Sequence, residues 1–283
     1  MTNPGRRATI IGIIFNTFLF IIKFLGGLLT GSLAMFSDAL NSFSDTVYSV
    51  AVFIAVKISH KKADEGHPFG HHRAEPIAAL LISILAGILG FEIIKEGLMG
   101  LIATRFHIFN LFGIAILLVS MGVKAGMWLY LGRIAARIGS PALHASSVDS
   151  RNDILISSVA LLGFSGPALG FTNLDCYAAI LIGLFVIRSG YRIGAENIDY
   201  LMGKSPNKEL LDEIYRKVTG INGVLGIHEL RAHYVGNYIH VQVHVEVDKT
   251  CNMEDAHEIG KKVETLVKEI PFVDDVFIHI DPK

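Results

Sequence analysis

Six long apolar runs make up most of the sequence before about residue 200. They lie near residues 8–29, 33–56, 77–101, 109–131, 144–166 and 175–193. A helix of about 20 apolar residues crosses the hydrocarbon core of a bilayer. Hydrophobic residues form 51% of the chain and charged residues only 18%, a more apolar balance than a soluble domain needs. The sequence therefore predicts an α-helical membrane protein with six transmembrane helices, the first of them retained rather than cleaved as a signal peptide.

The pattern changes from about residue 204, where amphipathic helices and alternating strands replace the apolar runs. The segments "SPNKELLDEIYRKV" and "NMEDAHEIGKKVETLVKEI" have helical periodicity, whereas "GVLGIHELRAHYVG", "NYIHVQVHVEVD" and "VDDVFIHIDP" alternate like strands. The order αββαβ predicts a small α+β domain with its helices on one face of a sheet. We therefore divide the chain into a transmembrane domain, residues 1–203, and a small domain, residues 204–283.

Basic residues are unevenly distributed between the two ends of the predicted spans. Short cytoplasmic loops of membrane proteins carry an excess of lysine and arginine. Only Arg105 falls clearly on one side, whereas the other side holds Arg6, Arg7, Lys57, Lys61, Lys62, Arg73, Arg133, Arg137, Arg188 and Arg192. The bias predicts that both termini and the small domain lie in the cytoplasm.

Two of the apolar runs contain aspartate or asparagine residues at helical spacing. An aspartate at the centre of a membrane helix costs about 2.5 to 3.5 kcal/mol on insertion scales. Asn41 and Asp45 are four residues apart, as are Asp149 and Asp153, and residues at this spacing share one face of a helix. If the two faces meet, three carboxylates and one amide oxygen converge. Such a cluster would repel itself without a cation, so the spacing predicts a cation site.

The alternative is that each carboxylate pairs with a base in the membrane or lies at a helix end. The candidate bases are Lys23, Lys124 and Arg151. Asp149 lies near the predicted start of the fifth helix, where the helix dipole favours a carboxylate. Few bases lie at matching depth, and pairing gives Asn41 no role, so we favour cation binding. Two roles stay open for Asp38: it is a metal ligand, or it pairs with a nearby base.

These features resemble the cation diffusion facilitator family of divalent-metal transporters. The likeness spans nearly the whole chain and is carried by "GSLAMFSDALNSFSD", "DEGHPFGHHRAE", "DSRNDILISS" and the ending "VFIHIDPK". The resemblance implies a transport site at Asn41, Asp45, Asp149 and Asp153. It also implies a homodimer that exchanges cytoplasmic metal for protons by alternating access, with a metallochaperone-like αββαβ cytoplasmic domain.

The donor atoms of this site bear on the choice of metal. Zinc-transporting members of the family usually carry a histidine in one or both pairs, whereas all four side chains here offer oxygen. Oxygen ligands suit Mn²⁺ and Mg²⁺ better than Zn²⁺, and Mg²⁺ dehydrates reluctantly. The set resembles the manganese-exporting branch of the family. We therefore predict Mn²⁺ as the transported ion, with zinc, iron, cobalt or cadmium as the alternative.

Histidines in the loop before the third span form a second candidate site. The resemblance places metal ligands at Asp64, His67 and His71. The alternative is a solvated polar loop that needs its histidines for nothing more than the turn into the next helix. We expect His72 and Arg73 to start that helix and to face phospholipid.

The small domain is also rich in histidine. The resemblance places cytoplasmic metal ligands, with Zn²⁺ as the candidate ion, at His228, His244, His257, His279 and Asp281. Alternate residues of a strand share a face, so His240, Gln242, His244 and Glu246 are expected on one side of the sheet. The alternative is a half-buried sheet with hydrogen-bonded histidines. His233 and His240 receive no role.

Other classes of function fit the sequence less well. No HExxH motif occurs, and a two-aspartate intramembrane protease leaves Asn41 unexplained, so we expect no enzymatic activity. A channel needs several weak sites along an open path, and a metal sensor is the other remote alternative. The 25 basic and 26 acidic residues form no basic stripe, which argues against nucleic acid. Expected partners are a second copy, membrane lipid, divalent metal and protons, in a cell inner membrane.

Overall fold

A computed structural model of the chain describes the backbone of residues 4–59, 61–103, 109–138 and 141–283. Within these ranges it describes the side chains other than those of residues 4–6, 9, 52, 56, 138, 141–143 and 145. Arg105 and the side chain of Arg6, which entered the orientation argument, therefore lie outside the described residues. Six long helices come first: α1 Pro4–Thr30, α2 Leu33–Ser59, α3 Ala74–Ala103, α4 Leu111–Ile138, α5 Pro141–Phe164 and α6 Leu174–Leu201.

The six helices correspond to the six predicted apolar runs. In the described part of the chain, α1, α2, α3, α4 and α6 are long and apolar enough to cross a membrane. Helix α5 is the exception, because Asp149, Arg151 and Asp153 lie in its middle. It begins at Pro141, so Asp149 lies two turns inside the helix. The expectation that Asp149 is near a helix start is therefore wrong, and the dipole does not account for its charge.

Contacts divide the chain into two compact units, one of residues 1–51 and 81–194, the other of residues 52–80 and 195–283. In the first unit, α3 and α6 approach each other through small residues that recur every seven positions. They are Ser83, Gly90 and Gly97 on α3, and Cys176, Gly183 and Gly190 on α6. A Cβ on Gly90 would lie 2.9 Å from the carbonyl oxygen of Gly183. The two backbones are thus in direct contact, as small residues permit in membrane helices.

An apolar core holds α2, α4, α5 and α6 together in the same unit. Its fully buried members include Met35, Leu117, Ala160 and Phe164. Near the start of α6, Asp175 accepts hydrogen bonds from the first two backbone N–H groups of α2. The distances are 2.7 Å from Leu33 and 3.2 Å from Ala34. These contacts fix where α2 begins, and therefore the height of the polar residues that α2 carries.

The small domain has the predicted αββαβ order. Its elements are α7 Lys208–Thr219, β1 Gly226–Val235, β2 Tyr238–Val247, α8 Met253–Lys268 and β3 Val273–Pro282. The strand order is β1, β2, β3, with β1 and β2 antiparallel and β2 and β3 parallel. Alternate residues of β2, from Ile239 to Val247, are buried against Ile214 of α7 and Val263 of α8. The fold class predicted from the sequence is confirmed.

The register of the sheet decides which polar side chains are neighbours. Since the odd-numbered residues of β2 enter the core, the even-numbered ones lie on the opposite face, as expected. Across the parallel pair, His240 is opposite Asp275 and His244 is opposite His279. The sheet therefore brings β2 histidines beside acidic and imidazole groups of β3 at two separate places.

Candidate metal sites

Helices α2 and α5 meet through two of the predicted transport-site residues. The side-chain amide of Asn41 donates a hydrogen bond to Asp153 Oδ1 at 3.1 Å. Asn41 and Asp153 are both buried, with exposed fractions of 7% and 6%. Because the amide nitrogen faces Asp153, the amide oxygen of Asn41 is left for another partner. The predicted convergence of these two helices is present in the structure.

A lysine from α4 enters the same cluster. Lys124 Nζ makes an ion pair with the carboxylate of Asp153 and lies 3.5 Å from Asp45 Oδ2. It also donates to Asn16 Oδ1 at 2.9 Å. The expectation that the carboxylates are not paired with a base is therefore wrong for Asp45 and Asp153. The Lys124 ammonium lies beside the carboxylates that the sequence predicts to bind a metal ion.

Asp149 is the transport-site residue that the structure leaves apart. Its side chain is exposed on the surface of the chain. Within the described residues, the carboxylates of Asp45, Asp149 and Asp153 do not form a group whose ligand atoms all lie within 4.8 Å of one another. The structure thus brings together Asn41, Asp45 and Asp153 around Lys124, with Asp149 one turn away along α5.

Asp38 has a partner of its own. Lys23 Nζ lies 2.9 Å from the Asp38 carboxylate and donates to Ser42 at 3.2 Å and Ser157 at 3.1 Å. Ser157 in turn donates to Asp38 Oδ2 at 2.9 Å. The side chains of Lys23 and Asp38 are both 0% exposed, and a buried ion pair is tolerated only when such hydrogen bonds complete it. Of the two roles left open for Asp38, pairing with a base is the one observed.

Sequence reasoning missed Asn16 and Asp175, and it named Lys124 only within the pairing alternative that it disfavoured. Lys124 had a signal, since it is a charged residue inside the apolar run 109–131, and such residues mark functional positions by default. Asn16 inside the first run carries a weaker signal of the same kind. Asp175 lies at the start of α6, and nothing in the sequence links it to α2.

The loop cluster of Asp64, His67 and His71 is assembled in the structure. Asp64 Oδ1 lies 3.4 Å from His67 Nδ1, and Asp64 Oδ2 lies 3.4 Å from His71 Nε2. The backbone N–H of His67 donates to Asp64 at 2.8 Å, which holds the pKa of that carboxyl below its ordinary value. The ligand atoms lie within 4.8 Å of one another, so two imidazoles and a carboxylate could hold one ion. Residues 61–69 are all exposed, so the solvated loop and the metal site both stay open as predictions.

The small domain assembles three of its five expected ligands. His244 Nδ1 lies 3.4 Å from Asp281 Oδ2, and His279 Nε2 lies 3.2 Å from Asp281 Oδ1. The His228 ring is farther away, with its centroid 6.4 Å from that of His244. His257 is exposed on α8 and is not in this cluster. The arrangement favours a small site of two imidazoles and one carboxylate.

A third group contains His240, one of the two histidines that received no role. His240, Asp274 and Asp275 can place one ligand atom each within 4.8 Å of one another. His72 joins them, since its Nε2 lies 3.3 Å from Asp274 Oδ2 and its ring centroid 4.3 Å from that of Tyr238. The expectation that His72 faces phospholipid is therefore wrong. The short loop before α3 turns its side chain onto the sheet instead.

Long helices with buried ion pairs, a histidine and carboxylate cluster in the loop before α3, and two further such clusters in the αββαβ domain are the features of a multi-span membrane protein that handles metal ions. Sequence models of the family match both parts of the chain, the cation efflux transmembrane domain over residues 9–202 and the cation efflux protein cytoplasmic domain over residues 206–283. The chain belongs to this cation efflux, or cation diffusion facilitator, family. The resemblance stated from the sequence motifs is confirmed.

Relatives of known sequence align along the whole length. An uncharacterized transporter of Methanocaldococcus jannaschii is 31% identical, covering 98% of this chain and 98% of its own. The manganese efflux system protein MneS of Bacillus subtilis is 28% identical, covering 98% of this chain and 96% of its own. A solved structure of MamM is 27% identical over 27% of this chain and 95% of its own, with a TM-score of 0.26.

Proposed function

We propose that this protein is a proton-coupled antiporter that exports Mn²⁺ from the cytoplasm, with Asn41, Asp45, Asp149 and Asp153 as its transport site. One observation carries the proposal. Oxygen donors from α2 and α5 face each other around the ammonium of Lys124, so the cluster already attracts a cation. A divalent ion at this position would gain the Asn41 amide oxygen, which Lys124 does not use among its described contacts.

The choice of manganese has two supports. All four side chains offer oxygen, which suits Mn²⁺ better than Zn²⁺. Relatives named as manganese efflux system proteins, MneS and MneP of Bacillus subtilis, align over 98% of the chain at 28% and 27% identity. A zinc exporter of the same family is the second candidate, favoured by the imidazole-rich clusters of the second unit. Iron, cobalt and cadmium are further candidates for the exported ion.

The cluster supplies a physical route for exchange. The Lys124 ammonium offsets one of the two negative charges of Asp45 and Asp153, which lowers the cost of the buried Asp153 carboxylate. An arriving divalent ion displaces the ammonium, because it carries twice the charge and binds several oxygens at once. Protons that reach the carboxylates from the outer side weaken metal binding, since carboxylates coordinate in their ionised form. Rocking of the helices that carry the two pairs then alternates access.

The proposal includes an arrangement in the cell. From the lysine and arginine bias we propose that both termini and the small domain lie in the cytoplasm. We also propose that the membrane is a cell inner membrane. The small domain matches the family's cytoplasmic domain model, and we propose that it joins two copies into a homodimer. The Asp64 cluster and the His244 cluster would hold Zn²⁺ or the transported ion on the cytoplasmic side.

Flux measurements in proteoliposomes with an imposed pH gradient test the proposal. Manganese uptake should rise with the gradient and collapse when an ionophore removes it. Asp45→Asn and Asp153→Asn should each lower the flux at least tenfold, which corresponds to about 1.4 kcal/mol or more. Asp199→Asn is the matched control, because Asp199 lies on α6 outside the cluster and pairs with Lys204. Manganese flux that ignores the gradient would rule out the antiport.

A further inference from the structure

The second unit contains a side-chain group that the family resemblance does not assign. His240 lies on β2, Asp274 and Asp275 open β3, and His72 lies in the loop before α3. All four residues belong to the same compact unit. His72 Nε2 is 3.3 Å from Asp274 Oδ2, and His240 Nε2 is 4.0 Å from the same oxygen. Two imidazoles thus point at one carboxylate from two different segments.

His240 is the member that most needs an explanation. Its exposed fraction is 5%, and its Nε2 is buried with no hydrogen-bond partner among the described residues. A buried polar atom without a partner costs about 1 to 3 kcal/mol. Burial lowers the pKa of His240, which favours the neutral ring, the form that binds metal ions. A cation between His240 Nε2 and the Asp274 carboxylate would give both atoms a partner.

His72 is brought to the site by contacts that do not involve its ring. The hairpin between β1 and β2 passes so close that a Cβ on Gly236 would lie 2.0 Å from the His72 carbonyl oxygen. Gly236 also has a φ of 63°, a conformation that favours glycine. Beside it, the Asn237 side chain donates to Glu75 at 2.6 Å. The loop is therefore already held against the sheet, and little ordering remains when a ligand binds.

The donor set, and the distances of both imidazoles from Asp274, suit a tetrahedral ion. Zn²⁺ bound by histidine nitrogen and carboxylate oxygen has bonds of about 2.0 to 2.2 Å, which places neighbouring ligand atoms about 3.3 to 3.6 Å apart. The observed separations from Asp274 Oδ2 are 3.3 Å and 4.0 Å. Ligand atoms of His240, Asp274 and Asp275 already lie within 4.8 Å of one another, whereas among these described residues His72 contacts only Asp274, so the two imidazoles have to approach each other when an ion binds. Asp275, which lies 3.9 Å from Lys268, supplies a further carboxylate.

We propose that His72, His240, Asp274 and Asp275 form a divalent-metal site that prefers Zn²⁺ to Mn²⁺ and fastens the loop before α3 to the sheet. The site is separate from the His244 cluster, because four residues along a strand span roughly 13 Å. A cavity of about 620 Å³, lined by His71, His233, His240 and Phe277 among others, gives an ion access. The proposal does not depend on which metal is transported.

Zinc binding to the full-length protein in detergent tests this site. After removal of metal with a chelator, Zn²⁺ alone is titrated and bound zinc is counted per chain. His240→Gln and Asp274→Asn should each bind one ion fewer than the unsubstituted protein. His233→Gln is the matched control, since its ring lies 5.8 Å from that of His240 but outside the ligand group. It should keep the full count.

A second measurement tests whether zinc holds the loop before α3 against the sheet. Zinc should protect the peptide bonds around Lys61 and Lys62, which are exposed at the start of the loop, from trypsin in the unsubstituted protein. That protection should be reduced in Asp274→Asn. If His240→Gln fails to fold, Asp274→Asn still decides, because that carboxylate is 41% exposed. An unchanged zinc count in Asp274→Asn, or an equal loss in His233→Gln, overturns the site.

Discussion

Lys124 of α4 and Asp153 of α5 form an ion pair in which the side chains are 1% and 9% exposed. The pair places a fixed positive charge among the oxygens proposed to bind the transported ion. A metal ion and this ammonium cannot occupy the same place. Under the proposed function, the transported ion therefore has to displace the ammonium of Lys124.

Replacing Lys124 by glutamine should raise the affinity for Mn²⁺ about tenfold or more, because Asp45 and Asp153 then lack their counter-charge and a tenfold change needs only about 1.4 kcal/mol. The metal-free variant should also unfold at lower temperature, and Mn²⁺ should restore its stability. Calorimetric titration and thermal unfolding in detergent measure both effects. Lys95→Gln is the control, since Lys95 is half exposed on α3 and pairs with Glu92. Unchanged or weaker manganese binding in Lys124→Gln would contradict the displacement.

Replacing Asn41 by histidine should move metal preference toward zinc, because an imidazole nitrogen replaces an amide oxygen in a set of oxygens. We expect the ratio of zinc to manganese transport to rise about tenfold, equivalent to about 1.4 kcal/mol of discrimination. Paired flux assays with each metal at equal concentration measure the ratio. Ser44→His introduces the same group one turn along α2, at a residue that bonds the Leu40 carbonyl oxygen. A shift of equal size in Ser44→His would show that the effect is not one of ligation.

The helices and the small domain could be predicted because their signals are local. Runs of apolar residues as long as a membrane span are visible in the sequence itself. The alternation of apolar and polar residues along β2, which buries Ile239 but leaves Gln242 exposed, is equally local. The spacing of Asn41, Asp45, Asp149 and Asp153 marked one face on each of α2 and α5, whereas the meeting of these two faces was an expectation that the family resemblance supplied.

The contents of the clusters could not be predicted in the same way. Lys124 reaches Asp153 only if the two residues lie at the same depth when α4 packs against α5. The spacing of residues within one helix does not give the depth of that helix relative to another helix. Asp149 shares a face with Asp153 but lies one turn away, where packing leaves it exposed. The position of His72 against the sheet depends on the close approach of Gly236, in a hairpin more than 160 residues later in the sequence.

The pairing of Lys23 with Asp38 should serve stability rather than metal binding. Asp38→Asn leaves a buried ammonium without its charge partner, and breaking a buried pair costs about 3 to 5 kcal/mol. The double variant Lys23→Met, Asp38→Asn should recover part of that loss, because neither charge remains. Thermal unfolding of the two single variants and the double variant measures the coupling. Manganese stoichiometry should stay unchanged throughout, and loss of a bound ion in Asp38→Asn alone would make Asp38 a ligand.

The contact between α3 and α6 should tolerate no added methyl group at Gly90. A Cβ there would lie 2.7 Å from Ile187 Cγ1 and 2.9 Å from the Gly183 carbonyl oxygen, so the helices have to separate. Overpacking of this kind costs about 1 to 3 kcal/mol. Gly87→Ala is a control on the same helix, because a Cβ at Gly87 meets nothing within 4 Å. That variant should be neutral or gain up to about 1 kcal/mol from helix propensity. Thermal unfolding in detergent compares the two, and equal stabilities would mean that the close approach of the backbones is not needed for the fold.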